Sequence, residues 1–438
     1  MKVAIIEKAE IGGICLNWGC IPTKALLKSA SVYEYTKNAK SYGVDISGDF
    51  SANFENMIKR SREIAENMSK GIKFLFRKNK ITVLKGFGKI LSNKKVEVTD
   101  FDGLKKTYNA ENIIIATGAR SRQLPNLKQD GRKIIGYREA LSLQKQPESI
   151  LIVGSGAIGS EFAYFYNSIG TKVTLVEYMS NILPLEDIEV SKQVGRSFKK
   201  SKIKVLVKSN VESVDISGEM CKTSVRTKKG IEVFHSEIVL SAVGITPNIE
   251  NIGIENLGIE LENGKIKVDK YFQTNVKNIF AIGDVIDTAA LAHLASAEGI
   301  FCVEKISGEN PEFIDYNNIP ACTYTSPEVA SVGYTEKEAI KKGFDIKVGK
   351  FPFTASGKAI ASGAREGFIK LIFNKKNDEL IGGHFVGMNV TEMIAEIVLA
   401  RKLNVKAKGI LKAVHPHPTM SEAIMEAAAV ALKEAIHI

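Results

Sequence analysis

The chain is poor in cysteine and carries no long apolar run. Its 438 residues hold five cysteines, and only Cys15 and Cys20 lie close together. So few cysteines exclude a secreted disulfide scaffold. In a lysine-rich chain, one close pair reads as catalytic chemistry in a reducing, cytoplasmic compartment. No segment approaches the roughly 18 consecutive apolar residues that would span a bilayer, and no signal-peptide pattern opens the chain, so no membrane association is expected. Low-complexity tracts and short solenoid repeats are missing too. A basic tail is also missing, although the net charge is +11 from 60 basic and 49 acidic residues. Lysines and arginines are scattered among acids, with only short clusters such as Lys199-Lys200 and Lys375-Lys376 and no interleaved aromatics. That pattern describes a solvated surface, and no nucleic-acid partner is expected. Neither is a metal site.

What is present begins with a repeat. The opening strand, Lys2-Val-Ala-Ile-Ile-Glu7, recurs as Lys172-Val-Thr-Leu-Val-Glu177. The second copy follows Ile150-Leu-Ile-Val153, the turn Gly154-Ser-Gly156-Ala-Ile-Gly159 and a helix-like segment reaching Gly170. Strand, G-x-G-x-x-G, helix and a later acid together form a dinucleotide fingerprint. Gly154 permits the tight turn, Gly156 lets the backbone approach a pyrophosphate, and Gly159 allows close helix–strand packing. Glu177 is expected to bind ribose hydroxyls and to repel a 2′-phosphate, which favours NAD over NADP. By the same logic Glu7 binds the adenosine ribose of a first dinucleotide. The glycine turn that should precede Glu7 is not in these 438 residues, so the first unit reads as N-terminally truncated. On that reading, the printed chain expressed alone is expected to be unstable or to lack its first cofactor.

At 44% hydrophobic residues, the chain has enough apolar surface for several buried cores, and its length suggests two to four domains. Cys20 to Lys80 reads as mainly helical, with Ile64, Met68, Ile72 and Leu75 at helical spacing. Short strands are expected at 81–84, 95–98 and 112–116. The polar stretch Ser121–Gln146, with Pro125 and Pro147 at its flanks, reads as a linker. After Tyr316, strands and helices mix, with alanine-rich helices near Thr391–Leu403 and Ser421–Ile436.

Several motifs remain. Cys15-Leu-Asn-Trp-Gly-Cys20 is followed by Ile-Pro-Thr-Lys24. Ala116-Thr-Gly118, Gly283-Asp284, Leu291-Ala-His293 and Tyr324-Thr-Ser-Pro-Glu-Val329 lie along the chain. His415-Pro-His417-Pro-Thr-Met-Ser-Glu422 comes near its end. Together with the Gly154–Glu161 fingerprint, these resemble the flavin-dependent class I pyridine-nucleotide disulfide oxidoreductases over almost the whole length. Within that family the resemblance is to the dihydrolipoamide dehydrogenases.

The resemblance implies an α/β fold with two Rossmann-like domains, for FAD and NAD, and a C-terminal α+β dimerisation domain. The expected bounds are 1–119 for FAD binding, 147–241 for NAD binding, 242–311 for a central segment returning to the FAD domain, and 312–438 for dimerisation. Cys15 is then the interchange thiol of a redox-active disulfide, and Cys20 the thiol nearest the flavin. Lys24 and Glu161 resemble an ion pair beside the flavin. His417 and Glu422 resemble a base and its orienting carboxylate, reaching the disulfide of the other subunit of a homodimer. Glu7, Lys24, Gly88, Thr117, Gly118, Ala119, Asp284 and Ala290-Leu291-Ala292-His293 resemble FAD contacts. Gly154, Gly156, Gly159, Glu161, Glu177, Val211 and Gly244 resemble NAD contacts.

The activity implied is oxidation of dihydrolipoamide carried on a protein of a 2-oxo acid dehydrogenase, acetoin or glycine cleavage complex, with NAD+ as acceptor. Another FAD-dependent NAD(P)H disulfide reductase, or an inactive truncated flavoprotein-like subunit, are the alternatives. Glutathione reductase would be expected to use NADPH, against Glu177. Mercuric reductases and large thioredoxin reductases need a C-terminal redox pair, but nothing after Cys322 is cysteine.

Overall fold

The computed structural model describes residues 2–438. Its fold is α/β, built from two Rossmann-like units, the second of them the unit expected to bind NAD and called the NAD-side unit below, and a C-terminal α+β unit. The apolar run before the Gly154 turn forms the strand Ser149–Val153, third of five in a parallel sheet. Lys172–Val176 and then Lys204–Leu206 flank it on one side, Ile238–Ser241 and then Ile134–Ile135 on the other. A central parallel strand is covered on both faces, which is why its residues run apolar without alternation. Phe162, Phe165 and Tyr166 of the Ala157–Ser168 helix pack into the same core.

The segment 121–146, expected to be a linker, supplies the Ile134–Ile135 strand of this sheet. Two apolar residues between polar neighbours are too few to show a period, so the strand is visible only through its pairing with Val239 and Leu240.

The first unit holds Ala4–Glu7 paired in parallel with Thr82–Lys85, and Ile113–Ile115 paired in parallel with Ile279–Ala281. The second pairing carries the chain back from the NAD-side unit, placing Gly283-Asp284 at a strand end. Cys20–Lys37 and Phe54–Lys78 form the expected helices. Between them the helix is broken, and Gly43 and Gly48 there adopt positive φ. Ala119–Ser121 and Ile245–Pro247 pair antiparallel where the chain passes between units.

The C-terminal unit is a five-stranded antiparallel sheet in the order Ala321–Thr323, Glu328–Gly333, Leu380–Gly387, Phe368–Asn374, Ile346–Pro352. The helices Val390–Lys402 and Glu422–Leu432 pack against it. The second ends at Lys433, which turns into left-handed φ, although the apolar pattern continues to Ile436.

One buried ionic cluster ties this sheet to the NAD-side unit. Lys370, with a fully buried side chain, lies in the Phe368–Asn374 strand. Its ammonium donates to Asp187 at 3.0 and 3.1 Å and to Glu336 at 2.6 Å, and lies 2.9 Å from Glu189. Burial works against the charge, but Glu336, Glu189 and Asp187 hold the ammonium above its ordinary range. Asp187 is likewise held below its ordinary range: burial opposes its charge, while the Glu189 N–H and Lys370 favour it. The carboxylate's contribution to stability is present above its unfolded pKa and is lost as pH falls through the folded one. The lysine's is lost only as pH rises through its raised value. The cluster therefore stays charged across neutral pH.

Lys370→Met leaves Asp187 ionised and buried without its partner. It is expected to cost about 3–5 kcal/mol, read as a lowered denaturation midpoint of the C-terminal and NAD-side units. A midpoint within about 1–2 °C of the parent would show the cluster to be energetically idle.

Candidate active site

The two close cysteines are joined. Cys15 lies in a short helix, Gly13–Trp18, and Cys20 opens the Cys20–Lys37 helix, with their Cα atoms 4.7 Å apart. Space at Gly19 between them is tight, since a Cβ there would sit 3.1 Å from the Ile14 carbonyl oxygen. Asn17, buried inside the loop, donates to the carbonyls of Ile11 and Gly13, and its Oδ1 accepts from Ser69 Oγ.

Trp18 stacks under two cations. The Arg62 and Arg138 guanidinium centres lie 4.0 and 5.3 Å from its ring, while its indole N–H donates to Glu10 at 3.1 Å. Arg62 also donates to the Asn17 carbonyl. The disulfide loop is thus pinned at two of its intervening side chains, Asn17 and Trp18, and the sequence reading gave neither a role. The helix N-terminus that Cys20 opens favours a thiolate there once the pair is reduced.

The other cysteines differ. Cys221, Cys302 and Cys322 are free, and burial pushes Cys302 up to about 11 and Cys322 up to about 12.

One turn after Cys20, Lys24 reaches across the unit boundary. Its Nζ donates to both oxygens of Glu161 at 2.9 Å, although 137 residues separate them. Positions i and i+4 share a helix face, so the ion pair lies on the disulfide's side of the helix. Glu161 belongs to the helix that starts at the Gly154–Gly159 turn and is 4% exposed.

That turn has the required geometry. Gly154 takes φ +96° against the Ala242 carbonyl, and a Cβ on Gly159 would collide with the Gly154 carbonyl. Gly156 faces open space on its Cβ side, leaving its backbone approachable. Glu177 closes the turn from the next strand. One oxygen accepts from the Ser155 N–H at 2.8 Å and its hydroxyl at 2.7 Å, and the other accepts from the Met179 N–H at 2.6 Å. Glu7 repeats this at the first strand, accepting from the Ala9 N–H at 2.8 Å. Ser241 Oγ, buried beside the turn at the end of its strand, has no partner.

Glu177→Ala frees the glycine turn and, if Glu177 is the ribose acceptor expected from the sequence, removes that acceptor. It is expected to weaken NAD+ and NADH binding about 10- to 100-fold, as loss of one or two charge-assisted hydrogen bonds would, measured by calorimetric titration. Unchanged affinity would remove Glu177 from the site.

Among the residues expected to contact FAD, Gly118 adopts φ +67°. Ala119 is buried. The exposed Thr117 hydroxyl donates to the Asn248 carbonyl at 2.6 Å. Gly88 packs its open side against Ile6. Asp284 is half-buried, and burial raises its carboxyl despite Lys265. Its loop is anchored by Glu298, fully buried, which accepts from the Gly283 N–H at 2.8 Å. Ala290, Leu291, Ala292 and His293 lead into the Ala292–Ile306 helix, and His293 bonds the Pro320 carbonyl. Thr288 Oγ1 is buried there without a partner. A half-buried carboxyl, an orphaned hydroxyl and an open helix N-terminus are the groups a polyhydroxyl chain and a pyrophosphate require, so the residues fit a flavin dinucleotide. Val211 contributes its side chain to the core and its carbonyl to Asn126, while Gly244 has φ +105° and open space on its Cβ side.

At the C-terminal end His417 and Glu422 meet. His417 Nδ1 lies 2.9 Å from Glu422 Oε1, and the Thr419 N–H donates to Oε2 at 2.8 Å. Burial pushes the Glu422 carboxyl up, but the Thr419 N–H and His417 outweigh it and hold it below its ordinary range. His415 is committed elsewhere, its ring nitrogens bonding the Ala413 carbonyl and Glu396. His417 is 77% exposed in the single chain. Among the described residues, no hydrogen bond or ion pair links it to the loop of Cys15 and Cys20.

A pyridine nucleotide-disulphide oxidoreductase family model matches residues 1–299, and the dimerisation-domain model of the same family matches residues 319–428. The chain belongs to the pyridine nucleotide-disulphide oxidoreductases. FAD and NAD(H) are the cofactors of this family. The dihydrolipoyl dehydrogenase of Zymomonas mobilis is 45% identical, the match covering 100% of this chain and 94% of the relative. That of Bacillus subtilis is 41% identical, covering 100% and 94%. Among solved structures, LpdA from Mycobacterium tuberculosis superposes with a TM-score of 0.91 at 25% identity, covering 98% of this chain and 93% of that one. The HOCl-induced flavoprotein disulfide reductase RclA from Escherichia coli, in its Cu(II) complex, gives 0.87 at 25% identity, covering 98% and 93%. In an oxidoreductase of this family, the joined Cys15 and Cys20 are the redox-active pair, and the C-terminal sheet belongs to a dimerisation domain. No helix among the described residues is long and apolar enough to cross a membrane.

Proposed function

We propose that the chain is a dihydrolipoyl dehydrogenase that oxidises dihydrolipoamide at the Cys15–Cys20 disulfide with NAD+ as final acceptor. One observation carries this reading. The disulfide heads a helix whose next turn places Lys24 on Glu161, a residue of the helix that begins at the dinucleotide turn. One helical turn and one ion pair therefore connect thiol chemistry to the nucleotide site. Glu7, Thr117, Gly118, Asp284 and the Ala290–His293 backbone would hold FAD, which when bound would supply a two-electron relay between the cysteines and the nicotinamide.

The chain's own residues perform the thiol exchange. His417 takes the proton of one dihydrolipoyl thiol, and Glu422 fixes its tautomer and stabilises the imidazolium. The substrate thiolate attacks Cys15 Sγ, breaking the Cys15–Cys20 bond and releasing Cys20 as a thiolate. The second substrate thiol then attacks the sulfur joined to Cys15. The lipoyl disulfide forms, Cys15 leaves as a thiol carrying the proton given up by that second substrate thiol, and two electrons remain on the cysteine pair.

His417 comes from the partner subunit of a homodimer on this reading. Its exposure, and that of Val414 at 97%, supports a surface that a second copy covers. The donor is a lipoyl group on a carrier protein of a 2-oxo acid dehydrogenase, acetoin or glycine cleavage complex, in the cytoplasm. The test is NADH formation by the purified, flavin-loaded protein with dihydrolipoamide. Activity with NAD+ and little with NADP+ is expected, while turnover of NADPH with glutathione disulfide instead would overturn the assignment.

A further inference from the structure

The Lys24–Glu161 pair joins two units of the chain, and a residue of a third unit touches both members. Tyr324 follows the Ala321–Thr323 strand at the edge of the C-terminal sheet. Its backbone N–H donates to Glu161 Oε1 at 3.0 Å, and the Lys24 ammonium lies over its ring, 4.2 Å from the centroid. Two of the three ammonium protons point at Glu161, while the lysine side chain remains 34% exposed on a flexible stem. The negative face of an aromatic ring attracts a cation and so closes a side that the carboxylate leaves open. Burial, with Cys322 and Glu161 adding to it, pushes the Tyr324 hydroxyl up to about 12, so the ring stays neutral.

We infer that Tyr324 is a positioning residue, fixing the Lys24 ammonium and the Glu161 carboxylate where the three units meet. The inference rests on the reading of that pair as flavin-side groups. It assigns the C-terminal unit a part in hydride transfer within its own chain, separate from the base it lends to a partner. A cation held close to the flavin favours the electron-rich, reduced state, so loosening it lowers the flavin potential.

The test measures the flavin two-electron midpoint potential, together with kcat and KM for NAD+, in the holoenzyme and four variants. Lys24→Met is expected to lower the redox equilibrium constant about tenfold, or about 30 mV. Tyr324→Leu, which keeps the backbone N–H but loses the ring, should lower it about threefold, or about 14 mV. In that variant kcat falls about threefold with KM for NAD+ within about twofold. Tyr324→Phe keeps the ring face and stays at the parent potential. The double variant shifts no further than Lys24→Met alone, as expected when one residue acts through the other. If Tyr324→Leu fails to retain flavin, Tyr324→Met, unbranched and without a π face, replaces it in the same measurement. A parent-like potential in the leucine variant while Lys24→Met shifts overturns the inference and leaves the dehydrogenase reading standing. A shift in Tyr324→Phe equal to that in Tyr324→Leu also overturns it, by implicating the hydroxyl. No shift in Lys24→Met overturns the placement of the pair beside the flavin, and the inference with it.

Discussion

Cys15→Ser is expected to lower NAD+-linked oxidation of dihydrolipoamide by about four orders of magnitude or more, since it removes the sulfur that substrate attacks. Cys20→Ser should cost as much, because without Cys20 no disulfide forms and the substrate thiolate has no sulfur–sulfur bond to break. Thiol chemistry separates the two variants from a folding defect. In the oxidised parent the free thiols are Cys221, Cys302 and Cys322, all raised by burial. Cys15→Ser adds one thiol at the N-terminus of the 18-residue Cys20–Lys37 helix, where free backbone N–H groups favour the thiolate. Alkylation of the native variant should therefore label Cys20 well before Cys302 or Cys322. Activity of Cys15→Ser within tenfold of the parent, roughly, would remove the disulfide from the reaction.

How much of this was legible depended on how far chemistry restricts residue type. The glycine turn and Glu177 could be read because a pyrophosphate and a ribose demand those residues at that spacing, and the structure gives both the expected backbone geometry. Lys24 and Glu161 are different, since nothing local links residues 137 positions apart, and they were named together only through a family likeness. Lys370 was missed. In Phe-Ile-Lys-Leu-Ile-Phe-Asn, a lone lysine amid apolar residues gives no sign that its partner Asp187 lies 183 positions earlier in another unit. Tyr324 and Trp18 were quoted within motifs, but an aromatic's role depends on which cation the fold delivers to its face. The C-terminal helix was expected to run to Ile436 because alanine-rich propensity continues there. It stops at Leu432, where Lys433 turns into left-handed φ. Contacts across long sequence separations, rather than local pattern, decided the cases of Lys24, Lys370 and Tyr324.

His417→Gln should lower kcat by about 10²- to 10⁴-fold, the range for loss of a general base, while substrate-independent reduction of the protein by NADH stays close to the parent. The stronger form of the prediction concerns where the base comes from. In the single chain His417 is bonded to Glu422, largely exposed, and unlinked to the cysteine loop. If each site of a two-fold dimer takes its disulfide from one copy and its histidine from the other, two inactive variants should complement. A mixed dimer of Cys15→Ser and His417→Gln carries one site with both groups intact and one with neither. Random re-pairing makes half the dimers mixed, each with one working site of two, so activity should return to about a quarter of the parent under C2 symmetry. Mixing without subunit exchange should restore none. If re-paired mixtures, verified by mass spectrometry to contain mixed dimers, stay inactive, the histidine and the disulfide must meet within one chain, and the shared site falls.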